Sequence, residues 1–359
     1  MNKHKLKLLA RDVWSRLLFH TGLCRLVSRL APPRLLILAG HCVRDEEVNG
    51  DLPEDMKISG ERLEEILRAL GRHGSLVTIG EGFEALKGGG SGPPRCQVAL
   101  SMDDGYRDNR TVLVPLLERT GGRCTVFLEA RPLSERKVSW SHKYFWMIRE
   151  GDTEEVARAY MAETEDVDVL EKLRRALEEA RPEELAYQVK RVLKYQAAAA
   201  ERDRAMDAVF RQRGGDEALL CERIYMDWSD ARALQAAGIE VGGHTVRHEV
   251  LSTLEPAEVA EEVSSGRECL EQELGSASGQ TFAYPFGRRW DFDEAARSAV
   301  LESGFRCAVT THSGCNTRDS EPTTLKRWMI DEETPLHLLV TEATGGFELL
   351  RRLGIDLTE

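Results

Sequence analysis

The eight cysteines of this 359-residue chain are scattered and contain no C-x-x-C pair. That absence excludes a zinc–cysteine site and a disulfide framework, so the thiols read as small buried hydrophobes of a reducing compartment, the cytoplasm. No apolar run approaches the ~20 residues of a spanning helix. The N-terminus lacks the unbroken apolar core and small-residue cleavage site of a secretory leader. Aromatic residues make up only 6%, which argues against a long open groove stacking many sugar rings. Positive charge is in deficit, 49 Lys and Arg against 61 Asp and Glu, for a formal charge of -12. Such a balance excludes sequence-independent binding to nucleic acid, while neutral sugars and amides stay open as substrates. No internal repeat is found.

What is there begins with residues 1–33, a basic amphipathic segment. Lys3, Lys5, Lys7, Arg11, Arg16, Arg25 and Arg29 are interspersed with Leu6, Leu9, Val13 and Leu17 at helical spacing. Two readings stand: the helix lies on the anionic inner face of a membrane through residues 1–30, or it docks on the domain behind Pro32-Pro33, the preferred reading. From residue 34 to 359 apolar strands alternate with helices. Strands are expected at 35–39, 76–79, 97–102, 124–128, 239–241, 281–284 and 306–310. Helices are expected at 59–70, 111–119, 228–237, 256–274, 293–302 and 335–353, and a flexible loop at 88–94. A charged, alanine-rich helical insertion at about 140–225 interrupts the alternation, with a break at Pro182. This is an α/β pattern, closing as a barrel or opening as a wound sheet.

Three segments follow apolar runs where strands would end. Asp103-Asp104-Gly105 alone reads first as a turn or helix cap, since Asp-Gly favours turns. His244 and His248, four apart, alone read as a surface pair. Ala283-Tyr284-Pro285-Phe286-Gly287 is a strand end plus a proline-fixed turn. Taken jointly, two imidazoles and one carboxylate can form a facial metal set, leaving a second carboxylate as a base.

The three segments together resemble the polysaccharide deacetylases, carbohydrate esterase family 4, whose pattern is T-F-D-D-G, H-[ST]-x-x-H and aromatic-Pro-aromatic-Gly. The resemblance extends over roughly residues 35–130 and 220–335, and Gly40-His41-Cys42-Val43 looks like a degraded form of the family's first strand end. It implies a distorted (β/α) barrel of about seven strands with a helical insertion. It also implies a divalent metal, usually zinc, with cobalt or manganese as alternatives. Asp104, His244 and His248 match the family's metal ligands and Asp103 its base, and the Phe286 N–H would hold the oxyanion.

Two departures accompany it. Ala283 stands where the family often has an arginine paired with the base; Arg327 is the candidate replacement, an ordinary surface arginine being the other reading. The usual Leu-x-His strand is not recognisable, so His312 at a strand end is the candidate general acid, against a solvated loop histidine; His41 is a second candidate and His337 reads as structural. The expected activity is removal of acetyl groups from N-acetylated sugars of a polysaccharide or glycan precursor. An O-acetyl carbohydrate esterase and a non-catalytic glycan-binding relative are the alternatives.

Overall fold

A computed structural model describes residues 3–88, 96–275, 279–352, 354, 355 and 357. Ten strands are present: β1 (Arg34–Gly40), β2 (Cys42–Val43), β3 (Lys57–Ile58), β4 (Ser75–Val77), β5 (Cys96–Met102), β6 (Cys124–Leu128), β7 (Glu240–Gly243), β8 (Thr281–Ala283), β9 (Cys307–Val309) and β10 (Trp328–Met329). Seven of them run in the order β10-β1-β5-β6-β7-β8-β9, all parallel. On its far side from β1, β5 pairs with β4 through Gln97–Ala99 and then with β6 through Leu100–Met102. β9 and β10 do not pair directly. The Leu325–Met329 stretch closes the gap instead: Leu325 bridges Val309 of β9, and Trp328 pairs with Leu38 of β1. The result is the distorted barrel.

Two-residue alternation sorts the strand side chains into separate cores. Leu36, Leu38, Val98 and Leu100 face the surrounding helices, whereas Leu35, Ile37 and Ala99 face inward. The interior is completed by Ile79, Phe83 and Leu86 of an Ile79–Lys87 helix. That helix corrects the strand expected over 76–79. Thr78 closes the strand and caps the helix in a reciprocal capping box with Glu81. The expected helix 111–119 begins as a wide turn over Asn109–Leu113 before regular helix from Val114 to Thr120. β10 was not foreseen, and the terminal helix is two, Leu336–Thr344 and Gly346–Arg352, parted at Gly345 (φ 84°). Of the loop expected at 88–94, residues 89–94 lie outside the described residues.

After a short helix over Ala130–Glu135, six more, from Trp140–Arg149 to Glu217–Ile224, fill the interval between β6 and the helix preceding β7. They form their own apolar cluster around Tyr144, Leu173, Leu193 and Phe210, which also takes in Tyr106 and touches Phe286. Through those two residues the insertion meets the carboxyl ends of the barrel strands. All eight cysteines are free, and six are buried.

Candidate metal centre and active site

The carboxyl ends of adjacent strands deliver the chemistry: β1 runs into His41, β5 into Asp103 and Asp104, β6 into Glu129, β7 into His244 and β8 into Tyr284-Pro285-Phe286. Asp104 Oδ1 lies 3.2 Å from His244 Nε2 and 3.3 Å from His248 Nε2. Ligand atoms of the three buried residues fall within 4.8 Å of one another.

Each ligand is oriented by a neighbour. His244 Nδ1–H donates to the Ala283 carbonyl at 2.7 Å, which turns the Nε2 lone pair toward Asp104. Asp104 Oδ2 accepts from the Tyr106 hydroxyl at 2.9 Å. The Thr245 hydroxyl accepts from His248 N–H at 3.1 Å. Behind this loop, Glu262 takes the N–H groups of Val246 and Arg247, at 3.1 and 2.9 Å.

The backbone is strained here. Asp104 (φ 72°), Thr245 (φ 65°), His248 (φ 56°) and Phe286 (φ 61°) are four of the five non-glycine residues in the left-handed region among the described residues. Each such position costs about 1–3 kcal/mol, and the β-branched Thr245 is the least suited to it. The fold tolerates this because Glu262, Tyr106 and the Ala283 carbonyl over-determine the loop positions.

These residues fit a divalent metal. Asp104 Oδ1 is a buried carboxylate oxygen with no hydrogen-bond partner, aimed between two imidazole nitrogens, and two nitrogens plus one oxygen make a facial donor set. Burial opposes ionisation of Asp104, but the two imidazoles outweigh it and hold the carboxyl well below its usual range.

Asp103 is built differently. Arg327, wholly buried, donates Nη1 to Oδ1 at 2.6 Å and Nη2 to Oδ2 at 2.8 Å. The fork is itself fixed by Arg327 Nε on the Thr310 carbonyl at 2.9 Å and by Nη1 on the Ser101 hydroxyl at 3.2 Å. Burial pushes the Asp103 carboxyl up, the guanidinium and His244 pull it down harder, and it ends below the ordinary value. Arg327 is therefore no surface residue. It approaches from the segment between β9 and β10.

His312 is not brought to the carboxylates. It is half-buried, and its charged neighbours are Lys326 and Arg289. The reason is the path of the chain: past Thr310 it swings outward before returning at Leu325, and His312 is held by its backbone, its carbonyl accepting from Arg327 N–H at 2.9 Å and its N–H donating to the Thr310 hydroxyl at 3.3 Å. His41, half-buried at the end of β1, lies close enough to lower both Asp103 and Asp104, as His244 does more strongly. His337 pairs with Asp12 at 2.7 Å, far from the site in the fold.

Phe286 packs its ring against His248, 4.8 Å between centroids, and no protein acceptor pairs with its N–H among the described residues. Gly287 follows at φ 67°, where a Cβ would press to 3.0 Å on the Thr311 N and Cγ2 atoms.

Several participants carry no local signal in the sequence. From the insertion, His142 bonds both Tyr106 and Tyr225 through its two ring nitrogens. Burial drives His142 down to about 3, so the ring is neutral. Because Tyr106 donates to the Asp104 carboxylate, its oxygen accepts from His142 Nε2–H, and Tyr225 donates to Nδ1. One proton direction thus runs from the insertion to the metal centre. Lys194 adds a second tie, its Nζ 3.4 Å over the Phe286 ring and 3.1 Å from buried Asp291. A third is Arg202, which forks onto Glu249, the neighbour of His248, at 3.0 and 2.6 Å. Glu129 is fully buried with neither oxygen bonded, and burial together with the Asp104 charge pushes it well above its usual range, so it stays protonated. Of these, only Tyr106, directly behind the Asp-Asp-Gly run, and Glu249, directly behind His248, stand next to a motif.

A family model described as polysaccharide deacetylase matches residues 185–308, which contain both histidines and the Pro285 turn but not the carboxylate pair. Among solved structures, the chain is similar to the deacetylase PplD of Streptococcus pyogenes in complex with acetate. The identity is 14% and the TM-score 0.56, covering 87% of this chain and 99% of that one. It is similar also to IcaB from Ammonifex degensii (18% identity, TM-score 0.54, 88% and 98% covered). A third is the de-N-acetylase from Aggregatibacter actinomycetemcomitans (15%, TM-score 0.52, 85% and 98%). No curated protein sequence matches. The family model thus spans about a third of the chain, and what these structures share with it is the fold.

Proposed function

We propose that the protein removes acetyl groups from N-acetylated sugars of a polysaccharide or glycan precursor, with a divalent metal, zinc in the first instance, held by Asp104, His244 and His248. The observation that carries this reading is the pairing of two unlike carboxylates: Asp104 with a bare oxygen between two imidazoles, Asp103 beside it in the Arg327 fork. When bound, the ion polarises the acetamide carbonyl and acidifies the water that attacks it.

Asp103 accepts the proton from that water. The fork uses one lone pair on each of its oxygens, leaving the others for the proton, and locks the carboxylate against rotation. The Phe286 N–H supplies a donor for the oxyanion, held in place by a left-handed backbone and the Gly287 turn. His41 delivers the proton to the leaving nitrogen, which an amine requires more than an alkoxide does. The insertion roofs the site, and the free thiols fit a reducing compartment, the cytoplasm.

The deciding experiment is acetate release from N-acetylglucosamine oligomers and from acetylated xylan, with and without chelator. Release from the oligomers, abolished by chelation and restored by zinc, is expected. Asp103→Asn keeps its metal and loses activity by about 100-fold or more. Undiminished turnover in that variant would overturn the base assignment, and release from xylan alone would make the protein an O-acetyl esterase.

A further inference from the structure

The two N-terminal helices, Lys3–Thr21 and Cys24–Leu30, dock by one face only. Ser15, Leu18, Cys24 and Val27 are buried against the barrel; Trp14 Nε1 donates to the Gly346 carbonyl at 3.1 Å and Asp12 pairs with His337. The opposite face is also apolar, and none of the described residues covers it. Leu6 (54% exposed), Leu9, Val13 (57%) and Leu17 recur every three or four residues along one stripe. Leu23, Leu26 and Leu30 (67%) continue it on the second helix. Among the described residues, eight of the fifteen exposed large hydrophobic side chains fall between Leu6 and Leu30.

Charge identifies the occupant. Residues 1–30 hold seven Lys or Arg and one acidic residue, in a chain whose formal charge is -12. Exposed Lys5, Arg25 and Arg29 have no ion-pair partner among the described residues. An apolar stripe bordered by free cations on an otherwise acidic molecule matches a surface that is apolar beneath and anionic above. A second copy of the chain fits poorly, because apposing two such faces would crowd their cations together. No helix among the described residues is long and apolar enough to cross a membrane.

We propose that this face lies on the surface of a bilayer containing anionic phospholipid, holding the protein peripherally. The acidic remainder of the molecule is repelled by the same surface, so electrostatics alone selects this face for contact. The proposal is independent of the deacetylase reading.

The test is sedimentation of the full chain with phosphatidylcholine vesicles containing about one-third phosphatidylglycerol, against pure phosphatidylcholine. The protein should pellet with the anionic vesicles and be released by salt. Leu9→Ser, Val13→Ser and Leu17→Ser together should lower the bound fraction by about tenfold. All three side chains are exposed, so an unchanged melting curve certifies the fold. Wild-type protein remaining in the supernatant would overturn the proposal, as would a triple variant that pellets undiminished. A solution dimer that the same substitutions dissolve would assign the face to a second copy instead.

Discussion

Carboxylates near the site are held in opposite ionisation states, each set by its surroundings. Asp103 and Asp104 are held ionised, one by a guanidinium and one by imidazoles, while Glu129 is kept neutral by burial without a donor. Asp108 extends the series. It accepts from Val43 N–H at 2.6 Å, from Asn49 at 3.1 Å and from Asn109 at 2.9 Å, yet burial still raises it to about 7. With the folded value above the unfolded one, the stabilisation is complete below about pH 4 and is lost as pH rises through about 7. Asp108→Asn removes that dependence. Urea midpoints taken at pH 5 and pH 8 should show wild type losing about 2 kcal/mol relative to the variant, and parallel curves would refute the assignment. At this scale the sequence was legible where function is local: Asp103, Asp104, His244 and His248 stand in short motifs behind apolar runs. Arg327 was visible only as a candidate, and His312 was misplaced, because which loop returns to the barrel mouth is decided by β9–Leu325 closure rather than by any neighbour in the chain.

Elements were legible where periodicity and caps agree. Ser59, accepting from Arg62 N–H, opens the Gly60–Gly71 helix as its pattern foretells, and the β5 and β6 runs end where the apolar residues do. Misreading followed where one signal overlies another. Thr78 and Ile79 favour strand by side-chain type, but the Thr78–Glu81 box makes them the start of a helix that plugs the barrel. The insertion illustrates the larger gap: its helices are plain in composition, whereas its ties to the site through His142, Lys194 and Arg202 arise only on folding. Of these, the His142 tie bears directly on a metal ligand. His142→Phe leaves the Tyr106 and Tyr225 hydroxyls without their partner and frees Tyr106 to turn from Asp104. Metal affinity, read by competition with a chromophoric chelator, should fall by about tenfold or more while the fold persists. Unchanged affinity would mean that Asp104 is positioned by its own strained backbone alone.

For the molecule as a whole, an ion held at the candidate centre would also be a stability device. β5 and β7 are joined through β6, and the ligands Asp104 and His244 span those strands while His248 closes the loop after β7. Without an ion, one buried carboxylate oxygen and two imidazoles are held together only by their own attraction, with no other partner for that oxygen. With one, binding to the folded chain alone adds stability as RT ln(1 + [L]/Kd), about 4 kcal/mol at a thousandfold excess over Kd. Titrating zinc into chelator-treated protein should therefore raise the melting temperature by several degrees. His248→Ala, which removes one donor, should begin from a different apo midpoint and show little further rise. A wild-type midpoint indifferent to zinc, cobalt and manganese would separate the three side chains from any metal. A rise retained in full by His248→Ala would move the ion to other ligands, and the roles drawn for Asp103 and Asp104 would have to be exchanged or abandoned.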